Sequence, residues 1–114
     1  DILFTDRNTL NTKGEEVPAA GLAKRPNFQP KSMKQYYIQK QISPDFIQMG
    51  ARFGAYSMIV RRSGIQKIYD FIVAHSIFLP YDMDYYAPPG IKMYGLNHNI
   101  VSTIPDAISD NHDP

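Results

Sequence analysis

A chain of 114 residues, 43% of them hydrophobic, can bury a single core and is one modest domain or part of a larger one. It has no cysteine, which excludes disulfide frameworks and thiolate metal sites and favours a reducing, cytoplasmic setting, and no apolar run nears the roughly 20 residues of a membrane span. The net charge of +1 hides a split: residues 1 to 62 hold ten Lys/Arg against five Asp/Glu, and residues 63 to 114 hold two against six. A basic surface near an anionic ligand and a carboxylate-rich end fit that split, and so does a solvated lysine-rich loop.

Ile2, Leu3 and Phe4 read as an interior strand stopped by Thr5-Asp6-Arg7-Asn8, which puts Asp6 at a carboxyl end, where ligands of α/β sheets gather. No Met or targeting sequence precedes this strand, so the chain is expected to be part of a larger domain. From Asn8 to Phe46, Gly14, Pro18, Gly21, Pro26, Pro30 and Pro44 break every period, and the spacing predicts a long loop or lid over 8–46. Its Lys24, Arg25, Lys31, Lys34 and Lys40 near Phe28, Tyr36 and Tyr37 are of the kind that binds single-stranded nucleic acid or sugar phosphates. No RNA-binding signature accompanies them, so nucleic acid is not the expected partner.

Gly50 and Gly54 permit close backbone approach before a second expected interior strand, in which Tyr56, Met58 and Val60 alternate with Ala55, Ser57 and Ile59. Arg61-Arg62 ends it, a pair suited to bidentate contact with a diphosphate or sugar acid and equally to a solvated corner. The helix that follows is expected to be capped by Ser63 with Gln66 as its capping-box partner. Ile65, Ile68, Tyr69 and Ile72 would be its apolar face, and His75 would complement the dipole at its end.

Pro80 cannot continue a strand, so Tyr81-Asp82-Met83-Asp84-Tyr85-Tyr86 is expected as a constrained turn that presents two carboxylates among tyrosines. Ile91 to Tyr94 and Ile100 to Val101 read as brief strands, and the tail from Ser102 as a surface segment. No Gly-rich phosphate loop, Gly-x-Ser-x-Gly elbow or His-Glu-x-x-His helix is present, which removes dinucleotide, hydrolase and zinc-protease readings.

The order of these pieces resembles glycosyltransferase family 25, which includes bacterial lipooligosaccharide and collagen galactosyltransferases. The carrying residues are Gly54-Ala55-Tyr56, Ile59-Val60, Arg62 and Gly64, then Leu79-Pro80-Tyr81-Asp82, then Ile91-Lys92-Met93-Tyr94-Gly95-Leu96, with Ser109-Asp110 near the end. The first six residues are similar to the family's strand just downstream of its acidic metal motif. The resemblance covers about two thirds of the chain and leaves the long loop unexplained. Ile65 stands where the family has a small residue, Tyr69-Asp70-Phe71 replaces its Leu-Leu, and Asn111 replaces the Ile of its terminal motif.

The resemblance implies an α/β fold, a partial GT-A-like (Rossmann-like) domain with a mixed sheet and few helices. Residues 1–114 would be its C-terminal, acceptor-side portion, inactive without a nucleotide-binding half before Asp1. It implies hexosyl transfer, galactosyl above all, from a nucleotide sugar to a glycan or hydroxylated acceptor, assisted by Mn or Mg. Asp82 would then be the general base or acceptor contact, Asp84 its assistant, and Tyr81 and Tyr85 sugar-stacking rings. Arg61 and Arg62 are candidates for the donor phosphates and His98 for a metal ligand; the Asp82-Met83-Asp84 run is a second metal candidate. Two readings stay open beside these: Asp82 as a structural aspartate of its turn, and the whole chain as a noncatalytic α/β binding or interaction domain.

Overall fold

A computed structural model of the chain describes residues 1–7, 13–55 and 57–101. In chain order these form strand β1 (Ile2–Phe4), a 3-10 turn (Lys34–Tyr37), β2 (Gln39–Gln41), β3 (Phe46–Met49), β4 (Met58–Val60), helix α1 (Arg62–His75), the short helix α2 (Tyr81–Asp84) and β5 (Met93–Leu96). The strands make one sheet in the order β2-β3-β5-β1-β4, with β1 and β5 parallel and the other neighbours antiparallel. The fold is therefore α/β, with a five-stranded mixed sheet and few helices. Among the described residues no helix is long and apolar enough to cross a membrane.

β1 is interior, as its apolar run predicts, and alternation sorts its side chains: Ile2 and Phe4 are buried while Leu3 faces the other way. Ile47, Met49 and Met93 join Ile2 and Phe4 on the inner face, under Ile68 of α1 and the buried rings of Tyr36, Tyr85 and Tyr86. Gly50 is required here, because a Cβ at that position would lie 1.8 Å from the carbonyl oxygen of Gln35. The expected loop or lid over 8–46 holds, among its described residues, the 3-10 turn and β2, and Tyr36 anchors it by donating to the carbonyl of Ala87 at 2.7 Å.

Four expectations are corrected. β4 is an edge strand rather than an interior one, because β1 fills its other side with β5, and Ile59 is left exposed. The expected cap of α1 is not formed: the helix starts at Arg62 with Arg61 in extended conformation before it, and Ser63 donates its hydroxyl to the Asp1 carboxylate at 2.6 Å. Gln66 donates to Asp70 at 2.8 Å instead of reaching back.

The buried face of α1 is also turned from the expected one, toward Gly64, Ile68 and Phe71, with Ile65 and Tyr69 exposed. Gly64 sets that rotation, since the helix rests on the start of β1 so closely that a Cβ would meet the Asp1 carbonyl oxygen at 2.8 Å. Ile100 and Val101 form no strand; both N–H groups donate to the carbonyl of Thr5, at 2.9 and 3.2 Å, and so tie the chain after β5 to the end of β1. Tyr56, the tail from Ser102 and the Ser109-Asp110 pair lie outside the described residues.

Candidate functional site

Because β1 and β5 are parallel their carboxyl ends coincide, and antiparallel β4 brings its lead-in loop to the same end of the sheet. There Asp6 and Arg52, both buried, face each other in a bidentate pair with N–O distances of 3.1 and 3.3 Å. The Arg52 guanidinium also lies 4.0 Å from the centroid of the Phe4 ring, a cation–π contact that replaces part of its lost hydration. The Tyr85 hydroxyl donates to the Arg52 carbonyl at 3.1 Å, which joins the turn after Pro80 to this loop.

Pro80 caps α2 and accepts from the Met83 N–H at 2.9 Å, so the constrained turn takes the form of a single helical turn. Asp82 and Asp84 are two residues apart on it and point about 200° apart around the helix axis. Asp84, 4% exposed, pairs with Arg25 at 2.8 Å and accepts from the Phe78 and Leu79 N–H groups at 3.3 Å each. Arg25 is held in turn by donating to the Ser76 carbonyl at 2.8 Å. Asp82 is half-buried, and its one hydrogen bond among the described residues is a 3.3 Å contact accepted from the Gly54 N–H. Gly54 has φ of +86°, a conformation that favours glycine, so the residue type secures this approach.

The tyrosines sit around Asp82 with their protons held. Burial pushes the phenol of Tyr85 far up, and burial together with the Asp82 and Asp84 carboxylates pushes Tyr86 up to about 12. Tyr81, exposed, is also raised by desolvation, and its ring centroid lies 5.5 Å from that of Tyr85. These hydroxyls are therefore donors near neutral pH and not bases.

Arg61 and Arg62 lie at the opposite end of the sheet from Asp82, both exposed, with the Arg61 N–H donating to the Asp1 carbonyl at 2.8 Å. They do not share a site with Asp82. His98 lies two residues beyond β5, at the Asp82 end, exposed and without a hydrogen bond among the described residues. Among those residues no three acidic or histidine side chains converge, and Asp84 is committed to Arg25, so the Asp82-Met83-Asp84 run does not offer two carboxylates to one cation.

The two buried arginines are the residues that sequence reasoning missed as anchors. Arg25 reads as one cation among five in a loop, and Arg52 stands alone between Ala51 and Phe53. Neither has a local signal, because each is buried by a carboxylate 46 or 59 residues away. Compared with protein-family models, curated proteins and solved structures, the chain gives no match.

Proposed function

We propose that this chain is the acceptor-side part of a GT-A-like glycosyltransferase that moves a hexose, galactose in the first instance, from a nucleotide sugar to a glycan or hydroxylated acceptor of the lipooligosaccharide kind. The observation that carries the reading is the contrast on α2: Asp84 is consumed by Arg25, while Asp82 stands half-exposed beside Tyr81 at the carboxyl end of the parallel pair. A carboxylate with a single long hydrogen bond keeps lone pairs for an incoming hydroxyl.

In the proposed step Asp82 takes the proton of the acceptor hydroxyl as its oxygen attacks the anomeric carbon. The bond from that carbon to the diphosphate breaks, and the nucleoside diphosphate leaves with the electron pair. Tyr81 offers an exposed ring for stacking on a sugar face, with Tyr85 as the buried ring behind it. Asp84 positions α2 and does not assist the proton transfer.

Mn or Mg is the expected counter-charge for the leaving diphosphate, and His98 is this chain's candidate ligand. The described residues alone do not complete such a site. Arg61 and Arg62 have no part in this scheme.

The test is a screen of sugar nucleotides with Mn and with Mg on the complete gene product, read as acceptor-dependent release of nucleoside diphosphate. Release with one donor and one acceptor class supports the reading. Absence of release and of donor binding across the panel supports instead a noncatalytic interaction domain, a reading favoured by the exposed apolar side chains of Ile59 and Ile42.

A further inference from the structure

Tyr85 is fully buried and out of reach of a substrate, yet its hydroxyl touches the loop that also holds Asp82. The four residues of α2 make one helical turn, closed by the Met83 and Tyr85 N–H groups, and a single turn does not fix its own orientation. Contacts from outside the turn do so. Asp82 and Tyr85 are three residues apart and share one side of it, while Arg25 draws Asp84 to another.

The Arg52-Phe53-Gly54 loop lies on the Asp82 and Tyr85 side, joined to the turn by two hydrogen bonds of opposite sense. Tyr85 donates to the Arg52 carbonyl at 3.1 Å, with the Gly54 carbonyl 3.5 Å away, and Asp82 Oδ2 accepts from the Gly54 N–H at 3.3 Å. The two bonds are unequal. That of the phenol is buried, whereas the carboxylate is half-buried and its bond is long, so water competes for it. The loop is itself pinned, because the Arg52 side chain runs from Asp6, at 3.1 and 3.3 Å, back to the Phe53 carbonyl at 3.4 Å. The Tyr85 hydroxyl is thus the firm point of the clamp, and the contact between Gly54 and Asp82 follows it.

We propose that Tyr85 is a positioning residue: its hydroxyl holds the 52–54 loop against α2, so that the Gly54 N–H fixes Oδ2 of Asp82 and leaves Oδ1 to the acceptor hydroxyl. The use of Oδ1 rests on the transferase reading; the clamp does not.

Nuclear magnetic resonance of the Gly54 amide in this chain tests the clamp without an assay of transfer. In the parent its resonance should move as Asp82 is protonated on acidification, and Asp82→Asn should remove that movement. Tyr85→Phe should remove most of it, because the loop is released while the ring still fills its place. Tyr36→Phe is the matched control. It deletes another buried phenol bond to a carbonyl, that of Ala87 at 2.7 Å, in a part of the chain that does not hold the 52–54 loop, and should leave the movement intact. A Tyr85→Phe resonance that moves as in the parent overturns the proposal. So does equal loss in Tyr36→Phe, which would make the effect one of general stability, and so does a movement that survives Asp82→Asn, since the Gly54 bond would then not be made.

In the complete gene product Tyr85→Phe is expected to lower kcat about tenfold or more with the acceptor KM within about threefold of the parent, and Tyr36→Phe to change neither. An unchanged kcat in Tyr85→Phe, where Asp82→Asn abolishes release, overturns the positioning role and spares the transferase reading. Full release by Asp82→Asn, or none by the parent, defeats that reading, and the Gly54 movement then decides the clamp alone.

Discussion

At the amino end of the sheet Asp1 gathers Lys67 at 2.7 Å, the Lys92 N–H at 2.9 Å and the Ser63 hydroxyl at 2.6 Å, a clasp between β1, α1 and the lead-in to β5. Its lysine side chain is 39% exposed and the Asp1 side chain 7%, so water and salt reach the pair from the lysine side. The carboxyl end is built differently. Asp6 and Arg52 are shut away together under the Phe4 and Tyr85 rings, and the loop they fix carries the Gly54 N–H to Asp82. One end spends its carboxylate on a clasp whose lysine side is open to solvent. The other uses a buried ion pair as scaffolding and leaves a different carboxylate half in solvent, which is the arrangement expected where a carboxylate has work besides stability.

Removing one arginine has the largest expected effect. Arg52→Ala leaves Asp6 buried without its guanidinium partner and should lower stability in urea unfolding by about 3–5 kcal/mol. Asp84→Ala, which strands Arg25 and two N–H groups, should cost a similar amount. Either variant unfolding at the parent's urea midpoint would mean that these pairs do not hold the loops.

Alkaline pH probes the same end. Folded Tyr86 keeps its proton up to about 12, whereas an unfolded tyrosine releases it near 10, so the folded chain binds more protons above pH 10. Stability is complete below that pH and lost as pH rises toward 12, with Tyr85 adding in the same direction. Tyrosinate absorbance and near-ultraviolet circular dichroism should therefore change together. Early ionisation of every tyrosine without loss of tertiary signal would contradict the packing.

A smaller contrast separates the neighbouring tyrosines. Tyr85→Phe loses the bond to the Arg52 carbonyl and should destabilise by about 1 kcal/mol. The Tyr86 hydroxyl is buried with no partner among the described residues, so Tyr86→Phe should be neutral or stabilising by about 1 kcal/mol. Smallest of all, Lys67→Ala at the amino end should cost less than about 1 kcal/mol, and less still in high salt.

What could be read from the chain was what local chemistry decides. The interior position of Ile2–Phe4, the glycine at Gly50 and the stop imposed by Pro80 follow from residue type and neighbours alone. The rotation of α1 did not, because Gly64 turns the helix through contact with Asp1, across the sheet register. The edge position of β4 depends on β5 occupying the far side of β1. In the same way Asp82 and Asp84 are alike in sequence, and what separates them is Arg25, from a loop 59 residues earlier, together with the Phe78 and Leu79 N–H groups.

If Asp82 is the reactive carboxylate and Asp84 the structural one, Asp82→Asn in the complete gene product separates the two roles. Asparagine keeps an oxygen for the Gly54 N–H but cannot take a proton from a hydroxyl. Acceptor-dependent release of nucleoside diphosphate should be abolished while the melting temperature stays within about 2 °C of the parent. Full release by Asp82→Asn, or a fall in melting as large as that of Asp84→Ala, would contradict that assignment.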